Sequence, residues 1–171
     1  MNAIQRRDNI ESILTISTKP YKGHILAEKL GVTRQVIVRD IAILRAEGKN
    51  IIATPEGYLI PKSQSNKIKQ VIAVSHKPEE MEDELLIIVK FGAVIEDVII
   101  EHPIYGEIKG MLMIKSLYDV KNFINKVNET KSEPLLVLTG GIHLHTVSAD
   151  SLSIFENIKR ELGLKNYLIS D

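Results

Sequence analysis

Apolar positions recur at helical spacing through the first third of the chain. Over residues 3–16, Ile10, Ile13 and Leu14 share one side, while Arg6 and Arg7 are expected to be exposed. Ser17 to Tyr21, with Pro20, breaks that helix. A second, shorter helix, HILAEKL, ends at Gly31, a residue free to take the positive φ of a sharp turn. Val32 covers the corner, and Thr33 is a good N-cap for a third helix. There Ile37, Ile41 and Leu44 recur at i, i+4 and i+7 and make one buried face. Ala27 lies four residues before Gly31 and Ile37 six after it, the small, turn and apolar spacing that lets two helices cross closely. NIIATPEGYLIP follows, two short β-prone runs around Pro55-Glu56-Gly57 that predict a hairpin. Three helices and then a hairpin make a winged helix-turn-helix.

Pro61 to Lys67 is polar and poor in apolar residues, so a domain boundary is placed there, with domains 1–62 and 63–171. Beyond it the periodicity alternates between two and about 3.6. Ile68 to Ser75 predicts a strand. Pro78 to Phe91 predicts a helix, with proline and acids in its first turn and Gly92 at its end. Val94–Glu101 and Glu107–Ile114 predict strands joined through His102-Pro103-Ile104-Tyr105-Gly106. Ser116 to Thr130 predicts a helix opened by a Ser116/Asp119 capping box. Leu135–Thr139 and Ile142–Val147 read as strands on either side of Gly140-Gly141. Asp150–Leu162 reads as a helix ended by Gly163, and Asn166–Ser170 as an edge strand. The expected class is α+β: the winged helix-turn-helix, then an α/β sandwich with helices on one face of a largely antiparallel sheet.

The outward side of the third helix carries chemistry suited to DNA. Thr33, Arg34, Gln35, Val38 and Arg39 fall at its start or off its apolar face. Arginine suits guanine edges or phosphates, glutamine adenine, and valine a thymine methyl. A small helical hairpin could explain the packing, but not Val36 and Val38, which are out of phase with the core. The net charge is zero, yet its distribution is uneven. Residues 1–62 hold ten Lys+Arg against six Asp+Glu, and residues 63–171 hold twelve against sixteen. Five of the six arginines lie in the first part. A basic head on an acidic body is the expected form of a DNA-reading unit carried by another domain.

Composition narrows the rest. At 171 residues and 44% apolar content the chain can bury one large or two small cores. It has no cysteine, which excludes disulfides and thiolate metal sites. No stretch approaches the roughly 18 apolar residues of a membrane span. MNAIQRRDNIES has no signal-peptide core, so a cytoplasmic protein is expected.

Four of the five histidines fall in the second domain: His76, His102, His143 and His145. His143 and His145 are two apart in a β-prone run, so their imidazoles share one side of a sheet. Such a pair suits a borderline divalent ion, Zn²⁺ or Ni²⁺, or else two histidines hydrogen-bonded on an edge strand. His76 follows a predicted strand, and Glu79, Glu80, Glu82, Asp83 and Glu84 come next. One of these carboxylates could complete a His₃-carboxylate set; periodicity does not select which. His102 could line the same pocket or cap its strand, and His24 reads as a surface residue. No phosphate-binding glycine loop, cysteine nucleophile or serine elbow is present. Hydrolysis by a metal-bound water with a glutamate base is the one enzymatic chemistry the residues allow.

LAEKLGVTRQVIVRDIAILRAEG resembles the winged-helix domains of bacterial regulators. VSHKPEEMEDEL, EHPIYGEIKG and LTGGIHLHT, in that order, resemble the three-histidine regulatory domain. Together they cover nearly the whole chain and resemble the niacin-responsive transcriptional repressors of NAD biosynthesis and niacin uptake. That resemblance implies a homodimer, double-stranded operator DNA with two half-sites, and nicotinic acid as co-repressor. It also implies a divalent transition-metal site, Ni or Zn, with ligands falling on His76, Glu84, His143 and His145. Glu80, one turn before Glu84 on the same helix face, is the alternative carboxylate. Two other functions share these residues: a regulator whose effector is the metal itself, and a small metallohydrolase with an accessory winged helix.

Overall fold

The computed structural model describes residues 1–62 and 66–170. The chain divides into two compact units, Met1–Ser63 and Gln64–Asp171. Part of the expected linker, 63–65, lies outside the described residues.

The first unit contains helices α1 (Ala3–Ile16), α2 (Gly23–Leu30) and α3 (Arg34–Ala46), then the antiparallel hairpin of β1 (Ile52–Thr54) and β2 (Gly57–Leu59). Asn2 opens α1 with a reciprocal capping box to Gln5. Gly31 ends α2 at φ 66, and the Thr33 side chain accepts the Val36 N–H to start α3. Ile10, Leu14, Leu26, Ala27, Ile37, Ile41, Leu44 and Ile51 form the core. The hairpin is tied back by a bridge between Tyr58 and Tyr21, two residues past the Ser17–Lys19 turn.

Arg6 and Arg7 depart from the sequence expectation: they are half-buried, not exposed. Both turn toward Asp40, which is buried at 3% exposure on the core side of α3. Arg6 Nε lies 2.6 Å from Asp40 Oδ2, and Arg7 Nη1 lies 3.8 Å from Oδ1. A carboxylate on a packed face needs such partners, so these two cations join α1 to α3 and are not free surface charge.

The second unit is a four-stranded antiparallel sheet in the order β3-β6-β4-β5, comprising β3 (Ile68–Ser75), β6 (Ile142–Ala149), β4 (Val94–His102) and β5 (Gly106–Ile114). Helices α4 (Met81–Val89), α5 (Leu117–Thr130) and α6 (Leu152–Leu164) supply the rest of its core. Leu85, Ile88, Val120, Phe155, Ile158 and Leu162 of the helices pack with Ile72, Val74, Ile95, Ile114 and Val147 of the sheet. Ser116 caps α5 as expected; the Asp119 carboxylate reaches one residue further back, to the Lys115 N–H. The α4 segment opens with one 3₁₀ turn, Pro78–Glu80.

Two expected strands differ. Leu135–Thr139 is a 3₁₀ helix, held by local bonds such as Val137 N–H to the Pro134 carbonyl and ended by Gly140 at φ 63. Only Leu136 of it is buried, so most of the apolar run stays outside the core. The C-terminal edge strand reduces to a bridge between Leu168 and Val74, with Ile169 N–H donating to the Ala73 carbonyl.

Candidate metal centre

The register of β3 against β6 sets Ile72 opposite His145 and Val74 opposite His143. Ile72 and Val74 belong to the helix-covered core, so both imidazoles project to that side, as their two-residue spacing requires. His76 follows immediately after β3, and α4 lays Glu84 against all three rings. His76, Glu84, His143 and His145 are all buried, with Glu84 at 0% exposure.

Each imidazole is oriented by a carbonyl that accepts a bond from its Nδ1. His76 Nδ1 lies 2.9 Å from the Lys77 oxygen, His143 Nδ1 2.8 Å from the Gly141 oxygen, and His145 Nδ1 2.6 Å from the Asp97 oxygen. A carbonyl only accepts, so Nδ1 carries the proton and a neutral ring leaves its Nε2 lone pair free. Two of those Nε2 atoms face Glu84: His76 Nε2 at 3.7 Å from Oε2 and His145 Nε2 at 3.4 Å from Oε1. Ring centroids of His76 and His143, and of His143 and His145, stand 4.9 Å apart, edge to face.

These contacts are too long or misdirected to satisfy the atoms as hydrogen bonds. His76 Nε2 and both Glu84 carboxylate oxygens are buried with no hydrogen-bond partner among the described residues. Orphaned donors and acceptors at the centre of a packed domain cost free energy unless something engages them together. Ligand atoms of His76, Glu84 and His143 lie within 4.8 Å of one another, so this group can hold a metal ion. The nitrogen and oxygen donors suit a borderline divalent ion, and each ring already has the outer hydrogen bond that metal-bound histidines characteristically make.

Electrostatics follow the geometry. Burial pushes Glu84 up, but His145 and the neighbouring imidazoles overcome it and hold the carboxyl at about 2. Burial pushes His143 down to about 4, helped by the nearby His145. For His76 and His145 burial also lowers the pKa, but Glu84 and the carbonyl bonds outweigh it and both are raised. Without a metal the cluster favours an ionised carboxylate between retained protons.

The other expected carboxylate, Glu80, accepts the Lys77 N–H at 2.8 Å and opens the 3₁₀ turn. His102 is not in the buried group: its Nδ1 accepts the N–H groups of Ile104 and Tyr105 in the β4–β5 turn. Three residues escaped the sequence reading. Gly141, at φ 104, brings the β6 entrance so close to His76 that a Cβ would sit 2.5 Å from the His76 oxygen. Its own oxygen takes the His143 ring, so one glycine sets two imidazoles. Tyr167 packs on the His76 ring, with centroids 5.3 Å apart, accepts the Ser75 N–H at its carbonyl and donates its hydroxyl to Asp83. Asp97 supplies the carbonyl for His145. The doubled glycine was the one sequence signal for this group, and positive φ its meaning.

In the first unit, Thr33, Arg34, Gln35, Val38 and Arg39 are all exposed on the first turns of α3, opposite buried Ile37, Ile41 and Leu44. Val38 is 40% exposed. Arg34 and Arg39 form no ion pair among the described residues.

Fold and cluster define a class: a winged helix-turn-helix unit joined to an α/β domain with a buried group of three imidazoles and a carboxylate. The HTH domain family matches residues 6–59, and the 3H domain family matches residues 69–171. The chain is 47% identical over 167 residues to the probable transcription repressor NiaR of Thermotoga maritima, covering 98% of this chain and 95% of that protein. It is 38% identical over 169 residues to the transcription repressor NadR of Bacillus subtilis, covering 97% and 94%. The chain belongs to this family of helix-turn-helix, 3H-domain transcription repressors. That membership sets aside the metallohydrolase alternative. No helix among the described residues is long and apolar enough to cross a membrane.

Proposed function

We propose that this chain represses genes of NAD biosynthesis and niacin uptake, with nicotinic acid as co-repressor sensed at a divalent transition-metal site. The observation that carries this is the buried centre: an unpartnered His76 Nε2 and an orphaned Glu84 carboxylate beside His143 and His145, in a chain that also presents an exposed Arg/Gln helix start. His76, Glu84, His143 and His145 are the proposed ligands of Ni²⁺ or Zn²⁺. When bound, such an ion offers a coordination position that the pyridine nitrogen or the carboxylate of nicotinic acid can fill. The chain's own part is to hold three imidazoles in one tautomer and keep water from the donors. Homodimerisation, with two α3 helices in successive major grooves about 34 Å apart, is the proposed means by which effector binding reaches DNA.

Operator affinity is expected to rise when nicotinic acid is added to metal-loaded protein and to stay low when a chelator is present. Affinity that follows metal alone and ignores nicotinic acid would favour the metal itself as effector, a reading the orphaned donors also support. Affinity that moves with neither removes the sensing role.

Thr33, Arg34, Gln35, Val38 and Arg39 are proposed as the DNA-contacting set. Arg34→Ala is expected to weaken operator binding by about 1–3 kcal/mol and to relax specificity at one position. Equal losses on operator and random duplexes in a salt titration would mark Arg34 as a phosphate contact instead.

A further inference from the structure

The geometry points to Asp97 as a positioning residue for the metal centre, acting through a deliberate exchange of hydrogen-bond acceptors on β4. The inference rests on reading His145 as a metal ligand.

The β4–β6 register is regular at Val94↔Ser148 and Ile95↔Val147, but resumes at Ile99↔Leu144, so β4 carries one extra residue across this stretch. The neighbouring β4–β5 pairing shifts in the same place, between Ile95 and Asp97, and Met113 of β5 takes φ 53 there. A bulge frees a backbone group from the ladder and re-aims it. Here the freed group is the Asp97 carbonyl, which takes the His145 Nδ1 at 2.6 Å. The freed partner across the gap is the Thr146 N–H, and the Asp97 side chain takes it: Oδ1 accepts Thr146 N–H at 2.9 Å. One residue therefore supplies two acceptors, its carbonyl to the imidazole and its carboxylate to the strand in the carbonyl's place.

The carboxylate is buried at 4% exposure, and its other oxygen lies 3.7 Å from Lys109 Nζ. Burying a charge inside a sheet is costly, and an alanine there would leave Thr146 N–H without its acceptor. In this proposal the Asp97 carbonyl itself takes the vacated place. Without the side chain the backbone can close the bulge, return that carbonyl to the ladder and release the His145 ring. Asp97 thus keeps His145 in the tautomer whose Nε2 points at Glu84, without touching the metal.

The test compares Asp97→Ala with Asp97→Asn, which keeps an acceptor oxygen for Thr146. Zn²⁺ affinity, measured by competition with a chromophoric chelator, is expected to fall about 10–100-fold in the alanine variant and to stay near wild type in the asparagine variant. Ring ¹⁵N NMR of the metal-free proteins at alkaline pH is the second readout. Wild type and Asp97→Asn should show His145 protonated at Nδ1, and Asp97→Ala a mixture of tautomers. A wild-type tautomer and affinity in Asp97→Ala overturns the proposal, as does an asparagine variant as impaired as the alanine one. A wild-type protein that takes up no Zn²⁺ overturns the metal reading instead, and the tautomer comparison still decides the role of Asp97.

Discussion

Gly141→Ala is expected to cost the second domain about 1–3 kcal/mol or more and to pull His76 away from His143. Two independent penalties act at this position. The backbone stands at φ 104, where an L side chain is strained whatever the space around it. The new Cβ would also lie 2.5 Å from the His76 oxygen and 3.3 Å from its carbonyl carbon, which are backbone atoms with no rotamer to turn. Relief requires the β6 entrance to move off the end of β3. The Gly141 carbonyl then no longer meets His143 Nδ1, and an outer-partner loss of about 10–100-fold in Zn²⁺ affinity follows. Urea denaturation of the metal-free variant reads the first effect, and metal competition reads the second. A variant within about 0.5 kcal/mol of wild type with unchanged metal uptake would show that the junction tolerates movement.

The second large effect belongs to Glu84→Gln. As the one carboxylate brought to the cluster among the described residues, its neutralisation should lower Zn²⁺ affinity by more than about 100-fold, beyond the range for outer partners. The metal-free protein should reveal the change too. His76 and His145 have raised pKa values in the fold, so the stability they contribute is full below their unfolded value of 6.5 and is lost as pH rises through the raised values. Glu84 works at the other end: its share is present above 4.5 and is lost as pH falls toward about 2. His143, depressed to about 4, costs stability as pH falls below 6.5 and is neutral above it. From pH 6.5 upward, through their raised values, the two histidines therefore dominate the cluster's contribution. Wild type should lose more stability across that interval than Glu84→Gln, whose imidazoles have no anion to hold their protons. Parallel losses in the two proteins would show that Glu84 does not retain those protons.

Much of this was written in the periodicity. Ile37, Ile41 and Leu44 laid out α3, and the two-residue spacing of His143 and His145 placed both rings on one side of β6. The parts that stayed hidden share a cause: they depend on what lies opposite in space. Arg6 and Arg7 look like surface cations until Asp40 is seen to lie in phase with Ile37 and Leu44. An acid on that stripe was the available clue that a base must turn inward. Leu135–Thr139 is apolar enough for a strand, yet it folds as a 3₁₀ helix on local hydrogen bonds that apolar pattern alone does not reveal. Periodicity left five acids open beside His76; the resemblance pointed to Glu84, and Glu84 is the acid that α4 sets among the imidazoles. The bulge near Asp97 leaves no mark in the alternation, since Ile95, Asp97 and Ile99 are buried in step straight across it.

The C-terminal residues carry a practical consequence. Tyr167 covers the His76 ring and clasps Ser75, while Ile169 is fastened to Ala73, so the strand leading into His76 is braced from outside by the tail of the chain. Bulky labels are therefore better kept off Tyr167 to Ile169, because strain there would pull on the very brace that seats the first imidazole.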